Sequence, residues 1–64
     1  SMSTEEIDRV IFRPELMKTM NVTSETIRRW MIARRLPAPD VAMSCKTLGW
    51  RLSTLRNAGI NLAA

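Results

Sequence analysis

The chain is 64 residues long, which is the size of one small domain. It has no histidine and one cysteine, Cys45, so it lacks an internal disulfide and the ligands of a structural zinc site, and we expect neither a metal nor a cofactor. The net charge of +4 is uneven, because residues 1 to 27 hold five acidic and three basic residues, whereas residues 28 to 64 hold one acidic and seven basic residues.

The N-terminal residues carry two different patterns. Residues 1 to 8 are polar and acidic, which indicates a flexible tail and not a signal peptide. Residues 9 to 12 are β-prone and apolar, and they form either a short strand or an extended lead-in. No apolar run approaches the ~20 residues that span a bilayer. We therefore expect a cytoplasmic protein with no membrane partner.

Two short helices are predicted next. Pro14 and Glu15 suit the first turn of a helix, which we expect over residues 14 to 20. Asn21 tolerates the left-handed conformation that ends a helix. Thr23 is a good N-cap for a second helix that reaches about Arg34. Two short helices joined by three turn-like residues are typical of a helix-turn-helix.

The second helix has two unlike faces. Its apolar stripe is Ile27, Trp30 and Met31, at positions i, i+3 and i+4, and we expect Trp30 to lie in the core and not to stack on bases. In a helix-turn-helix the opposite face enters the major groove of DNA. On that face, at about 100° per residue, lie Glu25, Arg28, Arg29 and Ile32.

The C-terminal half begins with Pro37 and Pro39, which exclude further helix and favour extended chain. Two short apolar runs, residues 41 to 43 and 48 to 51, flank a polar turn and predict a β-hairpin anchored by Trp50.

A third helix is predicted at residues 54 to 58, with Ser53 as its N-cap and Gly59 at its end. The resulting fold class is mainly α with a small β-hairpin wing. It is a single winged helix-turn-helix domain over residues 9 to 62.

Three segments together suggest a family. They are NVTSETIRRWM at residues 21 to 31, LPAP at 36 to 39 and LGWR at 48 to 51. This combination resembles the AlpA-like regulators and excisionases of phages and integrated elements, within the MerR-like winged-helix group, and the resemblance covers about residues 9 to 62. Asn21 and acidic Glu25 depart from the glycine and the basic or small residue that are usual there.

The resemblance implies sequence-specific binding of double-stranded DNA in the control region of a phage or mobile element. The implied roles are transcription regulation and excision. In regulation the protein activates or represses a neighbouring promoter, with activation of the element's own genes favoured, and in excision it bends DNA for an integrase. An integrase or RNA polymerase is therefore an implied partner.

The residues that we expect to contact DNA lie on the second helix, at its two ends, and on the hairpin. They are Thr23, Ser24, Glu25, Arg28, Arg29, Arg34, Arg35, Lys46, Thr47 and Arg51. Arg28 is expected at bases and Arg29 at bases or phosphate, since arginine binds guanine O6 and N7 or a phosphate. Which of the two reads bases stays open. Glu25 either accepts from a cytosine amino group, or it only stabilises the start of the helix or positions one of these arginines through a salt bridge.

Plainer interpretations stand beside these. The basic residues can be a solvated surface, and Arg34 and Arg35 also suit the negative end of a helix. The rival function is a small protein-interaction module that contacts an integrase or a polymerase subunit without reading DNA. An enzyme is not expected, because the chain lacks histidine, clustered carboxylates and a phosphate-binding loop. One such module covers little DNA, so several copies are expected to associate cooperatively on adjacent sites about 10 bp apart.

Overall fold

Three short helices and three short strands occur along residues 8 to 62, the part of the chain that this computed structural model describes. In chain order they are β1 (Val10–Phe12), α1 (Arg13–Met20), α2 (Ser24–Ile32), β2 (Val41–Ser44), β3 (Thr47–Arg51) and α3 (Leu52–Asn57). The strands form one antiparallel sheet in the order β1-β3-β2. The fold is therefore α/β, and its sheet is larger than the two-stranded hairpin that the sequence predicted.

The third strand is β1, which resolves the choice between a strand and an extended lead-in. Ile11 lies opposite Trp50 in the register with β3, and both side chains are buried. Since side chains alternate along a strand, Val10 and Phe12 lie on the other face of the sheet. A Cβ atom on Gly49 would come within 2.7 Å of Val10 Cγ1. A larger residue at this position would have to displace the side chains of Val10 and Phe12 on the neighbouring strand.

All three helices end in the same way, through a residue with positive φ. These residues are Asn21 (φ 56°), Arg34 (φ 60°) and Gly59 (φ 87°). The N–H of the following residue then donates to a carbonyl five residues earlier, at 2.8 to 3.0 Å, which is the Schellman arrangement. The predicted endings at Asn21 and Gly59 are confirmed. The prediction that α2 reaches Arg34 is wrong, because Arg34 itself is the left-handed residue and the α-helix stops at Ile32.

The helix starts differ from one another. Thr23 caps α2 as predicted, since its Oγ1 accepts from the Thr26 N–H at 3.2 Å. The prediction of Ser53 as N-cap of α3 is wrong, because Ser53 lies inside the first turn. Its backbone N–H donates to Asp8 Oδ1 at 2.8 Å instead. Residues 1 to 7 of the predicted tail lie outside the described residues, whereas Asp8 holds the start of α3.

The core lies between the helices and the inner face of the sheet. Trp50 is its largest fully buried side chain, and the indole N–H donates to the Pro37 carbonyl at 2.8 Å. Trp30 and Met31 are only half-buried and pack against the core from outside, so the expectation for Trp30 holds in part. The buried core residues are Ile11, Leu16, Ile27, Leu36, Trp50, Leu52 and Leu55. Within residues 8 to 62, none of the helices has the length and apolar character to cross a membrane.

Candidate nucleic-acid interface

A groove of about 560 Å³ lies between α2 and the turn that joins β2 to β3. We call it the α2–hairpin groove. Its deeper part is formed by residues of low exposure, namely Ile27, Met31 and Leu48. The remaining residues that line it are Arg13, Ser24, Glu25, Arg28, Ile32, Cys45 and Lys46. Within the part of the chain that the structure describes, the groove therefore has an apolar floor and a rim that carries three basic side chains and one acidic side chain.

The basic residues of the rim come from three different elements. Arg13 begins α1, Arg28 lies in the second turn of α2, and Lys46 lies in the hairpin turn. Arg13 was not among the residues predicted from the sequence. Its position depends on how α1 packs beside α2, which no local pattern of charge reveals.

Glu25 and Arg28 form a two-point ion pair on the exposed side of α2. Glu25 Oε2 accepts from Arg28 Nε at 3.2 Å, and Oε1 accepts from Nη2 at 3.1 Å. The hydrogen bond from Arg28, and then its charge, lower the pKa of Glu25, and the same contacts raise the pKa of Arg28. Both groups are therefore charged at neutral pH, and in the free protein Glu25 is bound to Arg28 and not to Arg29.

The hairpin turn is held by a serine. Ser44 Oγ accepts from the backbone N–H of Lys46 at 3.2 Å and from that of Thr47 at 3.1 Å. A serine hydroxyl commonly fixes a turn in this way. The turn places Cys45 and Lys46 at the groove, whereas Thr47 is half-buried at the start of β3.

Three predicted residues lie in the C-terminal half of α2 or just after it and do not line the groove. Arg29, Arg34 and Arg35 are exposed, and among the described residues none of them forms an ion pair. Arg34 lines a second groove of about 470 Å³, together with Met31, Leu36, Pro37, Ala38 and Pro39. The positive charge of α2 thus continues beyond the α2–hairpin groove towards the proline-containing segment.

Two further predicted residues are engaged elsewhere in the fold. The Thr23 hydroxyl caps α2 and lies 3.1 Å from the Thr26 hydroxyl. The Arg51 guanidinium pairs with the Asp8 carboxylate, while the Arg51 backbone N–H donates to Asp40 Oδ2 at 2.8 Å. Neither residue lines the α2–hairpin groove. Of the ten predicted contacts, Ser24, Glu25, Arg28 and Lys46 are the ones that the structure brings together there.

Comparison of the chain with protein-family models, with curated proteins and with solved structures finds no match.

Proposed function

We propose that this protein binds double-stranded DNA as a winged helix-turn-helix of the AlpA-like type. In this proposal it is not an enzyme but a regulator of a phage or mobile element, acting as an activator of the element's genes, as an excisionase, or as both. The observation that carries the proposal is the α2–hairpin groove, where Arg13, Arg28 and Lys46 converge from three elements around one apolar floor.

The shape of the groove suits one strand of a duplex. An α-helix is about 10–12 Å across with its side chains, and the major groove is about 12 Å wide. With α2 in the major groove, the hairpin turn lies across the neighbouring sugar–phosphate strand. That strand alternates anionic phosphates with apolar sugar faces, which complement a basic rim above an apolar floor. Arg13 and Lys46 then contact phosphates, and Arg28 reaches the base edges.

The distribution of acidic residues also supports the α2–hairpin groove as the DNA-binding surface. Away from the groove, Glu15 binds Arg9 and Asp8 binds Arg51. Among residues 8 to 62, Glu25 is the one acidic residue that lines the groove. The exposed arginines at the end of α2 extend this positive surface, as expected for a protein that displaces counterions from DNA.

The first test measures binding of the full chain to duplex DNA from the region that flanks its own gene, as a function of salt. With about four to six phosphate contacts at about −0.9 each, log K should fall with log[salt] with a slope of about −3.6 to −5.4. Replacing both Arg13 and Lys46 with alanine should make the slope shallower by about 2. Arg56→Ala removes a charge from exposed α3 and is the matched control. A folded protein that binds no duplex contradicts the proposal.

Self-association on DNA is part of the proposal. One module of this size covers roughly 600–1,000 Å² of its own surface on DNA, which limits its affinity. Several copies are therefore expected to bind cooperatively at sites about 10 bp apart. An electrophoretic titration should show complexes that appear together over a narrow concentration range. A single complex with one copy per duplex contradicts this part.

The second candidate function is a protein-interaction module, with an integrase or a polymerase subunit as partner. It is favoured by Ile32, whose residue surface is 66% exposed at the edge of the groove. Ile32→Ser separates the two functions. It should abolish an apolar protein contact, whereas the salt dependence of DNA binding, which the basic residues set, should stay unchanged.

A further inference from the structure

We infer that Glu25 is a positioning residue for DNA specificity, which acts by fixing the edge of Arg28 that faces the bases. This inference rests on the proposed DNA-binding function. It names the device by which α2 restricts the choice of base.

The geometry of the ion pair leaves Arg28 one usable edge. A guanidinium carries five N–H donors, and its two-donor edges are Nε with Nη2 and Nη1 with Nη2. Glu25 occupies Nε and Nη2, at 3.2 Å and 3.1 Å. The edge formed by Nη1 and the second Nη2 hydrogen remains for a base or a phosphate. Arg28 therefore approaches DNA in one orientation, with its Nη1–Nη2 edge, because the Nε–Nη2 edge is occupied by Glu25.

The position of Glu25 is costly for a protein that only needs to adhere to DNA. Its side chain is 61% exposed and lies on the rim among basic residues, where a carboxylate repels phosphates. The start of α2 is already capped by Thr23. An exposed ion pair adds little to folding stability. A repulsive group that costs affinity is a common means of excluding wrong partners.

Glu25 also lies in the first turn of α2, the part of a recognition helix that is nearest to base edges. The ion pair therefore fixes the orientation of Arg28 in the part of the helix that reads bases.

The experiment selects bound sequences from a pool of randomised duplexes, with the full chain and three variants: Glu25→Gln, Arg28→Ala and the double variant. Glu25→Gln removes the charge and one of the two hydrogen-bond acceptors for the guanidinium. It should bind random duplex more tightly, because a repulsive charge is lost. Its preference for the selected sequence over random duplex should fall about tenfold, within the range of one base contact.

The double variant tests whether Glu25 acts through Arg28. In the Arg28→Ala background, Glu25→Gln should cause no further loss of base preference, because the group that Glu25 positions is absent. Glu15→Gln is the matched control. It removes the same charge from the Arg9–Glu15 ion pair, which is also joined by two hydrogen bonds, at 3.1 Å and 2.7 Å. Neither Arg9 nor Glu15 lines the groove. It should keep the wild-type preference.

The outcomes separate this inference from the proposed function. If Glu25→Gln keeps the wild-type base preference while it binds DNA, the inference is overturned. It is also overturned if Glu25→Gln lowers the preference equally with and without Arg28, since Glu25 then contacts a base itself. If the folded wild-type chain selects no sequence and binds no duplex, the DNA-binding function itself is wrong. Thermal melting of each variant verifies that it is folded.

Discussion

The polar groups of the sheet side, which we define as the three strands with the start of α3, and those of the α2–hairpin groove form hydrogen bonds in different ways. On the sheet side, groups far apart in sequence bind each other: Trp50 donates to the Pro37 carbonyl, and Asp8 accepts from the Ser53 N–H. At the groove, the ion pair of Glu25 and Arg28 joins residues on one turn of one helix. The sheet side therefore maintains the fold, while the groove keeps its basic groups available. Substitutions on the two sides should affect stability and binding separately.

The strongest way to break this division is Trp50→Ala. Removal of a fully buried tryptophan should lower the free energy of unfolding by about 3–5 kcal/mol. A core of this size supplies only about 3–5 kcal/mol, so the variant should be largely unfolded. Trp30→Ala is the control, because removal of the half-buried Trp30 should lower the free energy of unfolding by less. Urea unfolding followed by circular dichroism measures both. A larger loss for Trp30→Ala would show that α2 and not the sheet dominates the core.

Gly49→Ala tests the close approach of β1 and β3. The new methyl group would lie 2.7 Å from Val10 Cγ1 and 3.0 Å from Phe12 Cδ1, so these two side chains must shift. We expect a loss of about 1–3 kcal/mol in the free energy of unfolding.

The matched background for this variant is Val10→Ala, which removes the nearest atom. Gly49→Ala should cost less in that background. An equal cost in both backgrounds would mean that the methyl group is accommodated without displacing Val10.

Arg28→Ala tests the other side of the division. It should weaken binding to the preferred duplex by about 1–3 kcal/mol and relax the preference at one base pair. Its melting temperature should stay at the wild-type value, because the side chain is 65% exposed. Arg9→Ala, from the other exposed Arg–Glu pair, should leave binding unchanged. Fluorescence anisotropy on both duplexes and thermal melting give the readouts, and equal losses for the two arginines would contradict the assignment.

Arg34→Gly should move stability and binding in opposite directions. Arg34 has φ 60°, a conformation that costs a residue with a side chain about 1–2 kcal/mol and glycine very little. After the greater chain entropy of glycine is counted, a gain of about 0.5–1 kcal/mol in stability is expected. If Arg34 contacts a phosphate, the salt slope should become shallower by about 0.9. Arg34→Ala loses the charge without relieving the strain, so a stability gain in that variant would refute the explanation.

The smallest effect concerns acid stability on the sheet side. The hydrogen bonds from Ser53, and then the charge of Arg51, lower the pKa of Asp8. A group with a lowered pKa in the folded state stabilises the fold above its unfolded pKa, and this contribution is lost as the pH falls through the folded value. Asp8→Asn should therefore lower the melting temperature at pH 7 and leave a smaller difference between wild type and variant below about pH 4. An equal difference at both pH values would exclude ionised Asp8 as the cause.

Local features of this fold could be predicted from the sequence, because their causes lie within a few residues. The Thr23 cap, the left-handed Asn21 and Gly59, and the hairpin turn depend on such neighbours. The features that were missed depend on distant contacts. Asp8 lies 45 positions from Ser53 in the sequence and accepts a hydrogen bond from the Ser53 N–H at the start of α3. Ser53, a residue type that favours the N-cap, therefore does not cap this helix.

The candidate site shows the same limit. Ser24, Glu25 and Arg28 follow from the faces of one helix, and their common position could be predicted. The position of Arg13 could not be predicted, because it depends on how α1 packs. The ion pair between Arg51 and Asp8 could not be predicted either, because it depends on the sheet that precedes α3. Arg34 was predicted within the helix, because arginine is a poor choice for the left-handed conformation that it adopts.

The hairpin turn carries the one thiol of the chain, Cys45, which is exposed at the α2–hairpin groove. This thiol is a natural reporter at the place where a ligand would sit. A duplex in the groove should shield it from alkylating reagents, so the rate of labelling would record occupancy without any substitution.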